Sequence, residues 1–228
     1  GAARSGHFEC MRYAHLHGCP WDIRTAWYAA EKGSLQCLEY AHKNGCSWKY
    51  GYELVHFAAK GGHIDCLRYG LENDIPIHGD LGYCVAGSLM FLQYLHTERG
   101  LELKPNVVYD CAGGQGCMDT LKYCIEQGCP VDANTTHAAA NQLERLKFLR
   151  EECNCAWDWR ALAHSVYNLD CLRYLLENDC PGRDKVSKSA AWSLPSLKLV
   201  HKYGCPLLPE AYIGKIPIEC VRFLFEQG

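Results

Sequence analysis

Residues 29–46, AAEKGSLQCLEYAHKNGC, decide how the whole sequence is interpreted. In this stretch Cys37, Leu38 and Tyr40 fall at positions i, i+1 and i+3, which places them on one face of a helix. Gly45 then supplies a residue type that commonly ends a helix. The stretch therefore predicts an amphipathic helix that follows an alanine-rich one across a short turn.

The same pattern recurs along the rest of the chain. The other copies lie at residues 6–22, 63–78, 88–104, 118–133, 142–158, 168–183, 194–208 and 217–228. We take as the reference position the residue before the first aliphatic of each copy, which gives 10, 37, 66, 91, 120, 145, 171, 196 and 220, at spacings of 24 to 29 residues. This period is typical of a solenoid, in which each unit buries its apolar face against its neighbours.

Each unit reads as two helices. The first is rich in small residues, as in residues 24–33, 53–62, 135–142 and 187–193, which allows adjacent helices to approach closely. The loops between units are short and carry Pro and Asp, which leaves no room for a β-hairpin of any size. We therefore expect an all-α fold, a solenoid of stacked helix-turn-helix repeats over residues 1–228 as a single domain. The chain begins inside a first helix and ends inside a unit, so we expect a piece of a longer array.

Two stretches carry a family resemblance. AAEKGSLQCLEYAHKNGC (29–46) and HFAAKGGHIDCLRYGLENDIPI (56–77) resemble the ankyrin repeat, whose pattern is TPLHLAAxxGHLEIVxLLLxxGADVN. His56 and His137 stand at the histidine of the family's first helix. The chain departs from the family in its shorter period, near 26 residues, and in the cysteines and tyrosines that replace aliphatics. The resemblance implies an ankyrin-like solenoid with shortened loops in place of β-hairpins.

Composition limits the possible functions. The sequence is 48% apolar and 21% charged, which is globular composition, and its formal net charge of −3 offers no basic stripe for nucleic acid. No run is long and apolar enough for a transmembrane helix. We therefore expect neither a nucleic-acid nor a membrane partner, and a monomer.

The sixteen cysteines could form disulfides, bind metal or serve as small apolar side chains. Cys10 and Cys19 are nine residues apart, or roughly 13 Å along a helix, and equivalent cysteines of neighbouring units would be about 8–10 Å apart. A disulfide needs Cα atoms within about 7 Å. We therefore expect reduced, buried thiols and an intracellular location, cytoplasmic or nuclear.

The sequence contains no clear metal-binding or catalytic motif. Zinc sites are usually announced by closely paired cysteines, and none is present, so we expect no metal site and no cofactor. The histidines are scattered, and the glycines of residues 111–119 lack the Lys-Ser/Thr of a phosphate loop, so we expect no catalytic residue. Trp21, Trp48 and Trp157 fall in loops at positions that are apolar in every copy, which indicates packing between loops.

One set of residues varies between copies without a packing reason. It lies on the first helix, two residues before the small pair or near that position. Its members are Trp27, His56, Tyr83, Tyr109, His137, Arg160, Lys188 and Tyr212. The ankyrin resemblance implies that this position faces a concave groove, and large amphipathic side chains often anchor protein interfaces. Semi-buried helix packing is the alternative.

These observations predict a non-enzymatic scaffold that binds a protein partner through a concave helical surface. The general habit of the family suggests a pathogen or viral effector that captures a host protein, in which case it would act in the host cell. Two alternatives stay open: a thiol-rich repeat protein that binds metal or responds to redox, and a purely structural spacer.

Overall fold

The computed structural model describes residues 1–46, 51–74, 81–207 and 216–227. These ranges are helical throughout apart from their turns and loops, and they contain no β-strand. In chain order the helices are a 3-10 helix at Ala2–Ser5, α1 (Phe8–Leu16), α2 (Ile23–Glu31), α3 (Leu35–Lys43), α4 (Gly51–Gly61), α5 (Ile64–Glu72), α6 (Leu81–Val85), α7 (Leu89–Arg99), α8 (Pro105–Ala112), α9 (Met118–Glu126), α10 (Ala133–Ala138), α11 (Leu143–Glu151), α12 (Trp159–His164), a 3-10 turn at Ser165–Tyr167, α13 (Leu169–Glu177), α14 (Val186–Ala190), α15 (Leu194–Lys202) and α16 (Ile218–Gln227).

These helices confirm the predicted repeat of helix pairs. All nine reference positions lie in second helices, namely α1, α3, α5, α7, α9, α11, α13, α15 and α16. The first helices are the initial 3-10 helix and α2, α4, α6, α8, α10, α12 and α14. The first helix expected before α16 lies outside the described residues.

The second helices end as the sequence predicts. Gly18, Gly45, Gly128 and Gly204 follow them with φ between 72° and 83°, in the left-handed region that only glycine adopts without cost. Three copies use other residues there, namely Asp74, Asn154 and Asp179, with φ of 47° to 57°. Because Asn and Asp tolerate this conformation better than other side chains, the helix ends keep their form.

The first helices often begin at an aspartate. Asp22, Asp132 and Asp158 are the N-caps of α2, α10 and α12, and each accepts a hydrogen bond from a backbone N–H of the first turn. The described loops that precede these aspartates are short and irregular, which confirms that tight loops replace β-hairpins there. No helix in the described ranges combines the length and the apolar character needed to cross a bilayer.

Contacts within the chain group into two compact units. Unit 1 comprises residues 1–107 and 115–128, and unit 2 comprises residues 108–114 and 129–228. In unit 1, successive first helices α2, α4 and α6 pack on one another, as do α1, α3 and α5 among the second helices. In unit 2, α12 packs on both α10 and α14, and α13 packs on α11 and α15. The expectation of a single domain stays a prediction.

The core of each unit lies between its first and second helices. In unit 1, Ala29 and Ala30 of α2 and Leu38 of α3 are completely buried. In unit 2, Leu172 of α13 and Ala190 of α14 belong to one buried apolar cluster. Small first-helix residues therefore do allow the close approach that the sequence predicts.

Candidate partner-binding surface

The surface under consideration is the solvent-facing side of the first helices. In α2 the buried residues are Ala26, Ala29 and Ala30, which leaves Trp27 and Glu31 on the opposite, partly exposed side. The same spacing repeats in α12, where Ala161 and Leu162 are buried and His164 is exposed. We call this side the first-helix face and describe it for each unit separately.

Aromatic rings line the first-helix face of unit 1. Trp27 of α2 is stacked on Phe57 of α4, with ring centroids 5.6 Å apart and planes inclined by 15°. His56 of α4 is stacked on Tyr83 of α6, at 6.2 Å and 12°. Phe57 also meets His56 edge to face at 5.6 Å. The predicted residues Trp27, His56 and Tyr83 are therefore linked by stacking across three first helices, with Phe57 between them.

These rings differ in their access to solvent. Trp27 and His56 are half-buried, whereas 50% of the surface of Tyr83 is exposed. The Nε1 atom of Trp27 is buried and has no acceptor among the described residues. The nearby charges are paired, since Lys60 Nζ lies 2.8 Å from Glu31 Oε1. This pair lowers the pKa of Glu31, chiefly through its hydrogen bond with Lys60. The face of unit 1 is thus aromatic and carries compensated charges.

In unit 2 the corresponding face holds a histidine pair. His137 of α10 and His164 of α12 have ring centroids 4.9 Å apart, and His164 Nδ1 lies 3.3 Å from the carbonyl oxygen of His137. Burial lowers the pKa of His137, and the nearby His164 and Arg160 lower it further. The predicted residues Tyr109 and Lys188 are exposed on α8 and α14.

The register of Arg160 differs from the expected one. Trp27 and His137 each stand five residues after the aspartate that caps their helix, and the residue five after Asp158 is Ala163. Arg160 instead stands two residues after Asp158, as Arg24 stands after Asp22. Arg160 therefore lies almost one helical turn before the position that Trp27 and His137 occupy.

Arg160 serves to hold the start of α12. Its Nε and Nη2 atoms donate to Asp158 Oδ2 at 2.9 and 2.7 Å, and Nη1 donates to Asn134 Oδ1 at 2.9 Å. The guanidinium lowers the pKa of Asp158, chiefly through the side-chain hydrogen bond. Arg160 therefore links two neighbouring repeats. The last member of the predicted set, Tyr212, lies outside the described residues.

Sequence reasoning missed several exposed aromatic residues of unit 2. Trp159 is 44% exposed on α12, Tyr167 is 75% exposed in the turn after it, and Trp192 is 53% exposed after α14. Trp159 begins α12 and Tyr167 lies in the 3-10 turn after it, with exposed His164 between them in the sequence. Gly33 and Gly62 stand at the equivalent turns of unit 1, so comparison of the turns could have indicated Tyr167 and Trp192.

The second helices use their tyrosines for contacts between repeats. His15, His42 and His96 each share a hydrogen bond through Nδ1 with the tyrosine hydroxyl of a later second helix, at 3.0, 3.1 and 2.8 Å. In unit 2, Glu151 and Glu177 accept hydrogen bonds from Tyr174 and Tyr203 instead. The tyrosines that replace family aliphatics are thus explained by polar contacts within each unit.

The loop residues Trp21 and Trp157 pack against second helices. Trp21 is stacked on His15 at 3.8 Å, and Trp157 meets Tyr174 edge to face at 6.2 Å. Both tryptophans therefore have the expected packing role, but these partners belong to second helices and not to neighbouring loops. Trp48 lies outside the described residues.

The sixteen cysteines all lie in the described ranges and have free thiols, and eleven of them are buried. Burial raises the pKa of Cys171 to about 11 and that of Cys180 to about 12. Cys46 and Cys180 donate to the carbonyl oxygens of Asp22 and Asp158, so these thiols tie consecutive loops together. The described part of the chain contains no group of three His, Cys, Asp or Glu side chains arranged to hold a metal ion.

Burial of every thiol was a wrong expectation for two cysteines. Cys10 and Cys19 are exposed. Cys46, at the corresponding place after α3, is covered because it packs on the loop that contains Asp22. No described loop covers Cys19 in this way.

Comparisons with known proteins identify the repeat. The family model described as ankyrin repeats in many copies matches residues 26–69, which span most of the pairs α2–α3 and α4–α5. Residues 26–69 carry the ankyrin repeat pattern. A crystal structure of the human ASB11 ankyrin repeat domain is similar with a TM-score of 0.44 and 17% identity, over 89% of this chain and 97% of that chain. No curated protein matches the chain.

Ankyrin repeats are in general non-enzymatic scaffolds for protein–protein interaction. The repeats of this chain differ from the ankyrin pattern in the tyrosine contacts of the second helices and in the short loops. The described loops contain no β-hairpin. The described first helices present a regular face to solvent.

Proposed function

We propose that this chain binds a protein partner through the first-helix faces of its ankyrin repeats. The observation that carries the proposal is the stacked pair His56–Tyr83, which keeps a half-exposed tyrosine in a fixed position. An aromatic ring that is ordered before binding loses little conformational entropy when a partner covers it. Exposed Tyr109, Trp159 and Trp192 give unit 2 the same character.

A pull-down with purified variants tests this role. Wild-type protein is first used to identify a partner by mass spectrometry, and recovery is then compared for Tyr83→Ala and Tyr109→Ala. We expect each change to lower recovery about tenfold, since interface aromatics commonly contribute 1 to 2 kcal/mol. Tyr13→Ala is the matched control, because Tyr13 is 65% exposed but lies on a second helix.

Circular dichroism confirms that each variant is folded. Undiminished recovery by both first-helix variants would reject the proposed surface and favour the structural spacer. The effector hypothesis forms part of the same proposal and requires that the identified partner belong to a host organism.

A reducing intracellular compartment is proposed as the site of action. It is supported by the free thiols, most of which pack as small apolar side chains in the helix pairs. Fractionation of cells that express the native protein tests this location, and recovery from the secretory pathway or the medium would contradict it.

A further inference from the structure

The histidine pair of unit 2 lies on the first-helix face beside charged groups. His137 is half-buried and His164 is exposed, so the second ring covers part of the first. From α12, Arg160 and Asp158 also act on His137. From α8, Tyr109 lies close enough to Arg160 to interact with it electrostatically.

The neighbouring ions of this cluster are already paired. Asp158 accepts from the backbone N–H of Arg160 and from its guanidinium, so the two charges compensate each other. Asp132 is likewise occupied at its own helix start, where it accepts from Asn134 and Thr135. His137 is therefore the group of this cluster whose protonation a bound carboxylate can favour.

Exposed lysines continue the face on α14 and beside it. Lys185 Nζ lies 5.1 Å from the centroid of the Trp159 ring, and Lys188 is exposed on the same stripe. In the described ranges no carboxylate lies within ion-pair distance of either lysine. One acidic residue, Asp184, is exposed next to Lys185. Cations beside exposed aromatic rings complement a segment that alternates carboxylates with apolar side chains.

We propose that the first-helix face of unit 2 binds an acidic segment of a protein partner that also carries apolar side chains, and that His137 of the pair His137–His164 takes up a proton when the segment binds. This inference rests on the proposed function and adds the chemistry of the partner. It makes binding depend on pH, whereas the general proposal does not.

The physical basis is linkage between the proton and the carboxylate. In the free protein, burial together with His164 and Arg160 lowers the pKa of His137, so His137 is largely neutral at pH 7.5. A carboxylate placed against the rings favours the charged imidazole and raises its pKa. A ligand that raises a pKa binds more tightly as the pH falls towards that pKa.

The test uses a fluorescein-labelled peptide that repeats Glu-Glu-Leu, with a Gln-Gln-Leu peptide as its uncharged counterpart. Fluorescence anisotropy gives the Kd at pH 7.5 and pH 5.8 and constant ionic strength. We expect the Kd of the glutamate peptide to fall about fivefold at the lower pH, as one added charge predicts. The glutamine peptide should bind more weakly and without this dependence.

The double variant His137→Gln/His164→Gln should bind with the same Kd at both pH values. His201→Gln is the matched control, because His201 belongs to unit 2 but lies on the second helix α15 against Phe223. It should keep the fivefold change. Proton NMR of the histidine rings should show that the peptide raises the pKa of His137.

Absence of binding up to millimolar peptide would overturn the inference. Equal affinity for both peptides, or a pH dependence that survives in the double variant, would also overturn it. Failure of the general proposal gives a different result. In that case the wild-type protein and the Tyr109→Ala variant recover the natural partner equally at pH 7.5. Recovery that depends on Tyr109 but not on pH would leave the binding face in place and reject only the acidic partner.

Discussion

At the scale of single residues, the reference position shows how one site accepts different side chains. Cys37 and Cys171 occupy it as buried thiols. Thr120 and Ser196 occupy it in other copies and donate to the carbonyl oxygens of Ala86 and Val166, in the turns after α6 and α12 of the preceding repeats. In these copies a small side chain with a donor fits the position, and a cysteine supplies a weak S–H donor, whereas Phe91 and Arg145 occupy it in two other copies.

Thiol reactivity tests the structural role of the cysteines. At pH 8, Cys10 and Cys19 should react with Ellman's reagent first, followed by the partly exposed Cys84, Cys117 and Cys153. The eleven buried thiols should react only after unfolding, because burial hinders access and raises the pKa of Cys180 to about 12. Native-state reactivity of most thiols would instead support the metal or redox alternative.

At the scale of helices, the ends of the second helices depend on left-handed residues. Gly128 follows α9 with φ of 83°, and a Cβ built there would meet no atom within 4 Å. Any cost of a side chain at this position therefore comes from the backbone and not from a clash. Gly114 is equally open, but its φ is outside the left-handed region.

These two glycines form a matched pair of variants. Gly128→Ala should lower the free energy of unfolding by about 1–2 kcal/mol, which is the usual cost of a left-handed alanine. Gly114→Ala should leave it nearly unchanged. Urea denaturation followed by circular dichroism measures both, and equal midpoints for the two variants would show that the helix end does not constrain the backbone at residue 128.

At the scale of the whole molecule, each unit contains a histidine whose pKa is lowered. Burial and then Lys43 lower the pKa of His42 in unit 1, and burial is also the main cause for His137 in unit 2. A lowered histidine pKa means that the unfolded chain binds more protons than the folded one as the pH falls through about 6.5. Stability is therefore highest above that pH and decreases below it.

The expected result is a lower urea midpoint at pH 5.5 than at pH 7.5. Midpoints are compared instead of extrapolated free energies, because repeat arrays do not always unfold in two states. The variant His42→Gln/His137→Gln should show a smaller decrease. An identical decrease in the variant would assign the acid sensitivity to other groups.

Much of the fold could be predicted from the sequence because its signals are local. The helix periodicity of residues 29–46, the glycines that end helices and the nine reference positions all depend on residues close together in the chain. The candidate surface was predicted less completely. Trp27, His56 and Tyr83 do lie on one face, but Arg160 belongs to a helix cap and Trp159, Tyr167 and Trp192 were not singled out.

The sequence by itself determined the helix pairs, their period and the tight loops, since hydrophobic spacing and turn residues specify these locally. Only the tertiary structure decided which polar groups pair across repeats, such as His42 with Tyr69 or Arg160 with Asn134. Those partners are 26 to 27 residues apart, and their contact depends on how neighbouring helices align. The exposure of Cys10 and Cys19 has the same origin, because burial is a property of the neighbours that cover a residue.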